Sequence, residues 1–119
     1  MRYFVEKEFA CNHCGKLPSY GMSEILMDKL DELRGLVGYP IYVTSGYTCP
    51  EWNSECGGVD NSQHVLGNAA DIYCEHITTK KLAEYAEQVG FDGIGVYYDD
   101  EFVHVDCRND GRSPNYYRW

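Results

Sequence analysis

Apolar residues recur every three or four positions in two stretches of the chain, the pattern of a helix with one buried face. The first stretch covers residues 23–37 and can be capped by Ser23. The second extends to Val89 and can be capped by Thr78 or Thr79. The predicted buried stripes are Leu26, Leu30, Leu33 and Val37 in the first helix, and Leu82, Ala86 and Val89 in the second.

Short runs rich in β-branched, aromatic and small apolar residues predict four strands between and after these helices. They cover residues 41–44, 69–73, 94–98 and 102–106, and the last two form a hairpin turned at Asp99 and Asp100. The first two are separated by residues 45–67, which are rich in Gly, Ser, Asn, Cys and Pro. A loop of this length in a small domain is often functional. Helices mixed with antiparallel strands predict an α+β fold.

Composition narrows the class of protein. The 119 residues are 44% hydrophobic and 24% charged, as expected of a single soluble globular domain. A net charge of −9, with no basic stripe, argues against nucleic-acid binding. No run approaches the ~20 apolar residues of a membrane span, and residues 1–9 lack the apolar centre of a signal peptide. We therefore expect a monomer that stays in the cytoplasm until it is released or exported.

Three polar residues occur where a metal site would need them. Asp71 lies in an apolar strand, and a buried carboxylate is costly unless it is paired or bound to metal. His64 ends the polar loop and can approach Asp71 if Gly67 turns the chain back, and His104 is polar within an apolar strand. Singly, each residue also fits an ordinary loop or core position. Together, two histidines and a carboxylate are a typical catalytic zinc set with one open position for water.

Three motifs carry a resemblance to a known family: Thr44-Ser45-Gly46-Tyr47, Ser62-Gln63-His64-Val65-Leu66-Gly67-Asn68-Ala69-Ala70-Asp71 and Phe102-Val103-His104-Val105-Asp106. Over residues 8–108 the chain resembles the zinc D-alanyl-D-alanine carboxypeptidases and peptidoglycan endopeptidases, in their short phage-type form. The resemblance implies one domain over residues 1–119, with two main helices and an antiparallel sheet lining a zinc cleft. The fold is shared with vancomycin-resistance dipeptidases, phage endolysins and the hedgehog domain.

The resemblance also implies roles for individual residues. The ligands of one catalytic Zn²⁺ would be His64, Asp71 and His104, and the substrate would be a peptidoglycan peptide, in a phage or prophage setting. The general base would be Glu101, three residues before the last ligand. Strict strand alternation places Glu101 and His104 on opposite faces, so a β-bulge is needed to bring Glu101 in. Asp106 shares a strand face with His104 and is the alternative base, or a support for that ligand.

Substrate binding is the part of the resemblance in which this chain departs from its relatives. Many relatives carry arginine after Ser-Gly-Tyr, where this chain has Thr48. A neutral hydroxyl cannot grip a substrate carboxylate in a bidentate manner, which favours an endopeptidase unless Arg108 supplies the charge. Tyr47 and Ser62 are further candidates for substrate contacts. The alternative function is a zinc-containing binding module of the same fold that has lost catalysis.

The six cysteines are many for a chain of this length: Cys11, Cys14, Cys49, Cys56, Cys74 and Cys107. Without a signal peptide, reduced thiols are the expected state. A structural zinc on the first four and a disulfide between Cys49 and Cys56 are the alternatives, because Cys11 and Cys14 have metal-ligand spacing. A second, structural zinc is not expected from the sequence.

Overall fold

A computed structural model describes residues 4, 6–17, 21–49, 67–107 and 117–118. In this part of the chain, one sheet of five strands is accompanied by two α-helices and a short 3-10 helix. The elements in chain order are the 3-10 helix Glu6–Phe9, α1 Glu24–Val37, β1 Tyr42–Ser45, β2 Ala69–Tyr73, α2 Thr79–Val89, β3 Gly93–Tyr97, β4 Phe102–Asp106 and β5 Tyr117–Arg118. The predicted α+β class is confirmed.

The helix termini follow the sequence signals. The side-chain oxygens of Ser23 and Thr78 accept hydrogen bonds from backbone N–H groups three residues later, at 3.3 and 3.1 Å. Gly38 and Gly90 end the helices with φ angles of 79° and 91°, a left-handed conformation that glycine adopts without a steric penalty. Both predicted helices are confirmed to within one residue at each end.

The strand order is β1-β2-β4-β3-β5, so the long-range pair β2 and β4 forms the centre of the sheet. Side chains alternate between the two faces of a strand. Val103 and Val105 of β4 are fully buried in the hydrophobic core, together with residues of both helices. His104 and Asp106 therefore project from the other face. The remaining fully buried core side chains include Leu26, Leu30, Leu33, Leu82, Ile72 and Ile94.

The fifth strand was not predicted. It contains Tyr117 and Arg118 and pairs in parallel with β3, whereas β1 to β4 pair antiparallel. The Arg118 guanidinium donates to the carbonyl of Asp92 at 2.9 Å and forms an ion pair with Glu87 of α2. Two residues are too few to show a periodic pattern, so only the folded arrangement identifies this strand.

No helix within the described ranges is long and apolar enough to cross a membrane.

Candidate metal centre and catalytic cleft

Asp71 and His104 are directly opposite each other on the paired strands β2 and β4. Their side chains leave the same face of the sheet, and Asp71 Oδ1 lies 3.1 Å from His104 Nδ1. The Asp71 side chain is 19% exposed and the His104 side chain 9% exposed. The Asp71 side chain is therefore mostly buried, and Oδ1 contacts another of the predicted site residues.

Asp106 holds the other side of the His104 ring. Its Oδ2 lies 2.8 Å from His104 Nε2, and its side chain is fully buried. Burial of the ring opposes its charge and acts to lower the pKa of His104. The hydrogen bonds with Asp106 and Asp71, together with the negative charges of the two carboxylates, outweigh burial, so the pKa of His104 is raised above its ordinary value.

These donors fit a zinc ion. Two N or O ligands of a tetrahedral zinc, each about 2.0–2.1 Å from the metal, are separated by about 3.3 Å. The 3.1 Å between Asp71 Oδ1 and His104 Nδ1 is close to that spacing. A metal-binding histidine typically donates its other ring N–H to a carboxylate, which is the position of Asp106 at Nε2.

The predicted third ligand, His64, lies outside the described residues, as do the candidate substrate residues Ser62 and Arg108. The turn that the sequence requires before Asp71 is present at Gly67, whose φ is 73°. The Gly67 carbonyl accepts a hydrogen bond from the Ser23 N–H at 2.9 Å, which anchors the start of β2 to the first turn of α1.

Glu101 is not brought in by a β-bulge, contrary to the expectation from strand alternation. It is the last residue of the turn between β3 and β4, and its φ is 58°, the single positive φ among the described non-glycine residues. Because Glu101 precedes β4, the direction of its side chain is set by the turn and not by the pleat of the strand. Glu101 is exposed and lines a cavity together with Tyr73 and Tyr98. Tyr73 lies two residues after Asp71 on the same strand face.

Gly93 is a site residue that the pattern of the sequence did not identify. It is directly opposite Asp106 on β3. A Cβ atom at Gly93 would lie 2.5 Å from Asp106 Cγ and 2.6 Å from Asp106 Oδ1, so only glycine leaves room for this carboxylate. The signal was present as two glycines in a strand, Gly93 and Gly95, because glycine weakens a strand unless a close approach requires it.

Tyr47 and Thr48 follow β1 and are both half-buried. The Tyr47 side chain packs against the hydrophobic core, and its backbone N–H donates to the Phe9 carbonyl at 2.7 Å. Gly46 permits this contact, since a Cβ atom there would lie 2.6 Å from Phe9 Cα. The segment after β1 is thus fixed against the 3-10 helix.

The α+β fold presents a carboxylate and a histidine at metal-ligand spacing on one face of its sheet, an arrangement that suits a metal-dependent hydrolase. The sequence comparison leads to the same class: residues 2–106 match the family described as Peptidase M15. This match covers most of the chain, which therefore belongs to the peptidase M15 family.

Two relatives of this chain carry names that state an activity. The chain is 33% identical over 88 residues to the peptidoglycan L,D-endopeptidase MepK of Escherichia coli. This alignment covers 68% of this chain and 48% of that protein. It is 35% identical over 92 residues to the zinc D-Ala-D-Ala carboxypeptidase of Streptomyces albus G, covering 74% of this chain and 36% of that protein. The chain thus spans about half of the first relative's length and about a third of the second's.

Proposed function

We propose that this chain is a single-domain zinc peptidase that hydrolyses peptide bonds in bacterial peptidoglycan, with His64, Asp71 and His104 as the zinc ligands. The observation that carries the proposal is the position of His104, with one ring nitrogen 3.1 Å from Asp71 and the other 2.8 Å from Asp106. Membership of the peptidase M15 family supports the reaction class. The names of the two relatives support peptidoglycan as the substrate.

Zinc at this position would supply a Lewis acid that polarises the scissile carbonyl and acidifies a water molecule. The protein must supply a base, and Glu101 is exposed on a cavity beside the strand of Asp71. A carboxylate in this position can accept the proton of the attacking water and return it to the leaving amine.

Asp106 is better suited to orient His104 than to act as the base. Its carboxylate is fully buried and is already engaged by His104 Nε2. A base must come within hydrogen-bond reach of the water that it deprotonates. Asp106 instead fixes the ring so that Nδ1 faces Asp71, and its negative charge makes the ring a stronger donor to a metal.

The bond cleaved is proposed to lie within a peptide and not at a free C-terminus. Thr48 occupies the position at which many relatives have arginine, and a hydroxyl offers no bidentate grip on a carboxylate. The E. coli relative is named as an endopeptidase, which agrees with this choice. Tyr47 and Arg108 remain proposed substrate contacts, with Ser62 beside His64.

The test is digestion of peptidoglycan from several wall chemotypes with the zinc-loaded protein, followed by mass spectrometry of the released fragments. His104→Ala is the inactive variant, and His76→Ala is the matched control, because His76 is exposed and stacks on Tyr39. New peptide fragments in the wild type and in the His76 variant, but not in the His104 variant, are expected. Zinc binding with no fragment from any wall type would favour the alternative, a binding module of the same fold.

Defined peptides distinguish the two kinds of peptidase. An endopeptidase should cleave a stem peptide equally well with a free or an amidated C-terminus. A carboxypeptidase needs the free carboxylate, so loss of cleavage on amidation would overturn the choice of endopeptidase while leaving the zinc peptidase intact.

A further inference from the structure

Three cysteine sulfurs meet on the side of the protein where the N-terminal segment contacts the end of β1. The Sγ atoms of Cys11, Cys14 and Cys49 all lie within 4.8 Å of one another. Cys11 is 2% exposed, Cys49 is half-buried and Cys14 is exposed, so the cluster is open to solvent on one side. Two sulfur ligands of a tetrahedral zinc are about 3.8 Å apart, given Zn–S bonds of about 2.3 Å.

The backbone around Cys11 is folded to accommodate a thiolate. The Cys49 N–H donates to Cys11 Sγ at 3.3 Å, and the backbone N–H groups of His13 and Cys14 are also directed at this sulfur. The loop closes on itself, because the Gly15 N–H donates to the Cys11 carbonyl at 2.8 Å. Gly15 has a φ of 71°, which lets the chain turn sharply directly after Cys14.

These N–H groups favour the charged form of the sulfur. Burial acts to raise the pKa of the Cys11 thiol, but the backbone hydrogen bonds from Cys49, Cys14 and His13, with a side-chain hydrogen bond from Cys49, outweigh it and lower the pKa to about 7. The thiolate is the form of cysteine that binds metal.

His13 lies beside the cluster but outside the group of ligand atoms that are all within 4.8 Å of one another, so its ring would have to move closer to complete the site. The Nδ1 atom of His13 lies 3.9 Å from Cys49 Sγ, and His13 is between the two cysteines of the Cys11–Cys14 turn. A nitrogen and a sulfur on one tetrahedral zinc are about 3.6 Å apart, given the usual bond lengths. Three cysteines and one histidine form one of the common closed structural zinc sites.

We propose that Cys11, Cys14 and Cys49, with His13 as the fourth ligand, bind a structural zinc ion. This site uses none of the residues of the proposed catalytic centre and does not depend on the proposed function. The sequence alone favoured reduced thiols, because no signal peptide was found, and gave a structural zinc on Cys11, Cys14, Cys49 and Cys56 only as an alternative, because the spacing of the second pair is loose.

Such an ion would fasten the N-terminal segment to the sheet close to the cleft. Asn12, inside the cysteine turn, donates its side-chain N–H to the Thr44 carbonyl at 2.9 Å. The Thr44 hydroxyl in turn donates to the carbonyl of Asp71 at 3.2 Å. The ion would therefore stabilise the edge of the sheet next to Asp71 without contacting the proposed catalytic residues.

The decisive experiment uses the wild-type protein, purified with a reductant and loaded with cobalt(II) in place of zinc. Thiolate ligands give an intense sulfur-to-cobalt charge-transfer absorption in the near ultraviolet, whereas a site of histidine and aspartate ligands gives none. We expect this absorption to reach its maximum at one cobalt ion per cysteine cluster and to disappear when added zinc displaces the cobalt. Cobalt binding without the absorption would overturn the proposal, whether or not the protein cleaves peptidoglycan.

Variants locate the ligands. Cys14→Ser is expected to abolish the absorption, to remove one zinc ion per chain in elemental analysis and to lower the temperature of unfolding. Cys74→Ser is the matched control, since Cys74 is half-buried but outside the cluster, and it should retain both signals. Retention of the absorption in Cys14→Ser would contradict the assignment. If the variant fails to fold, the cobalt spectrum of the wild-type protein still shows whether thiolates bind the metal.

The remaining comparisons concern the fourth ligand and the redox state. His13→Ala should weaken cobalt binding while keeping the charge-transfer absorption, whereas Cys56→Ser should leave it unchanged. The reverse result would replace His13 by Cys56 as the fourth ligand. A disulfide within the cluster in reduced, zinc-supplemented protein, detected by intact mass and thiol counting, would overturn the site altogether.

Discussion

Gly93 and Asp106 are paired across β3 and β4 so closely that the Asp106 carboxylate occupies the space of a missing side chain. An added Cβ would lie 2.6 Å from Asp106 Oδ1, well inside van der Waals contact. The buried acid that orients His104 is therefore itself positioned by a residue whose contribution is the absence of a side chain.

The first prediction is that Gly93→Ala displaces the Asp106 carboxylate and loosens His104. Overpacking at a buried site typically costs about 1–3 kcal/mol of unfolding free energy. Loss of a carboxylate behind a metal-binding histidine lowers metal affinity by about 10–100-fold. Urea unfolding and zinc competition with a chelator measure the two effects. Gly35→Ala, at an exposed position of α1, is the control and should leave zinc affinity unchanged. Equal zinc affinity in all three proteins would contradict the proposed role of Asp106.

The second prediction separates the proposed roles of Glu101 and Asp106. Glu101→Gln should reduce kcat on peptidoglycan fragments by about 10²–10⁴-fold, because the water loses its proton acceptor, while zinc affinity is retained. Asp100→Asn is the matched control in the same exposed turn and should retain activity. Asp106→Asn should show the opposite signature, with zinc affinity lowered about 10–100-fold. If Asp106→Asn instead bound zinc normally and lost all turnover, Asp106 would be the base.

The third prediction concerns the attachment of the 3-10 helix. Gly46→Ala would place a Cβ atom 2.7 Å from both Phe9 Cβ and the Phe9 carbonyl oxygen, which must disrupt the hydrogen bond from Tyr47 N–H to that carbonyl. We expect a loss of about 1–3 kcal/mol in unfolding free energy and faster hydrogen exchange of the Tyr47 amide. Exchange at the Ile72 amide in the centre of the sheet serves as the internal reference. Unchanged protection at Tyr47 would show that the helix adjusts without detaching.

The fourth prediction compares two ion pairs of α2. Arg118→Ala removes the pair with Glu87 and donors to the carbonyls of Asp92 and Phe91, and we expect a cost of about 1–3 kcal/mol because charged donors bind these carbonyls. Lys81→Ala removes a pair with Glu84 whose side chains are about half exposed, and its cost should fall within about 0–0.5 kcal/mol. Denaturant unfolding at matched pH measures both. Equal costs would indicate that the Arg118 side chain contributes no more to stability than an exposed ion pair.

Local sequence patterns predicted the parts of this structure that local physics determines. The stripe from Leu26 to Val37 and the caps at Ser23 and Thr78 specify the helices, because helical spacing and capping depend on neighbouring residues. Asp71 and His104 were identifiable as site candidates since each is a polar residue inside an apolar run.

Relationships between distant segments could not be predicted in the same way. That Asp71 pairs with His104 depends on the register of β2 against β4, and no local pattern encodes that register. The approach of Cys49 to Cys11 joins residues 38 positions apart. The positive φ of Glu101 arises from the turn, a conformation that strand alternation does not describe.

The position of β4 between β2 and β3 also determines when the cleft can form during folding. β3 and β4 are joined by a short turn, and a hairpin of this kind forms in about 1–10 µs. Asp71 and His104, by contrast, are 33 positions apart, and closing the intervening chain costs entropy before any contact compensates for it. The hairpin alone carries His104 and Asp106 but not Asp71. The pair formed by Asp71 and His104 therefore arises only with the non-local pairing of β2 with β4, and a chain that has folded only the hairpin lacks this pair.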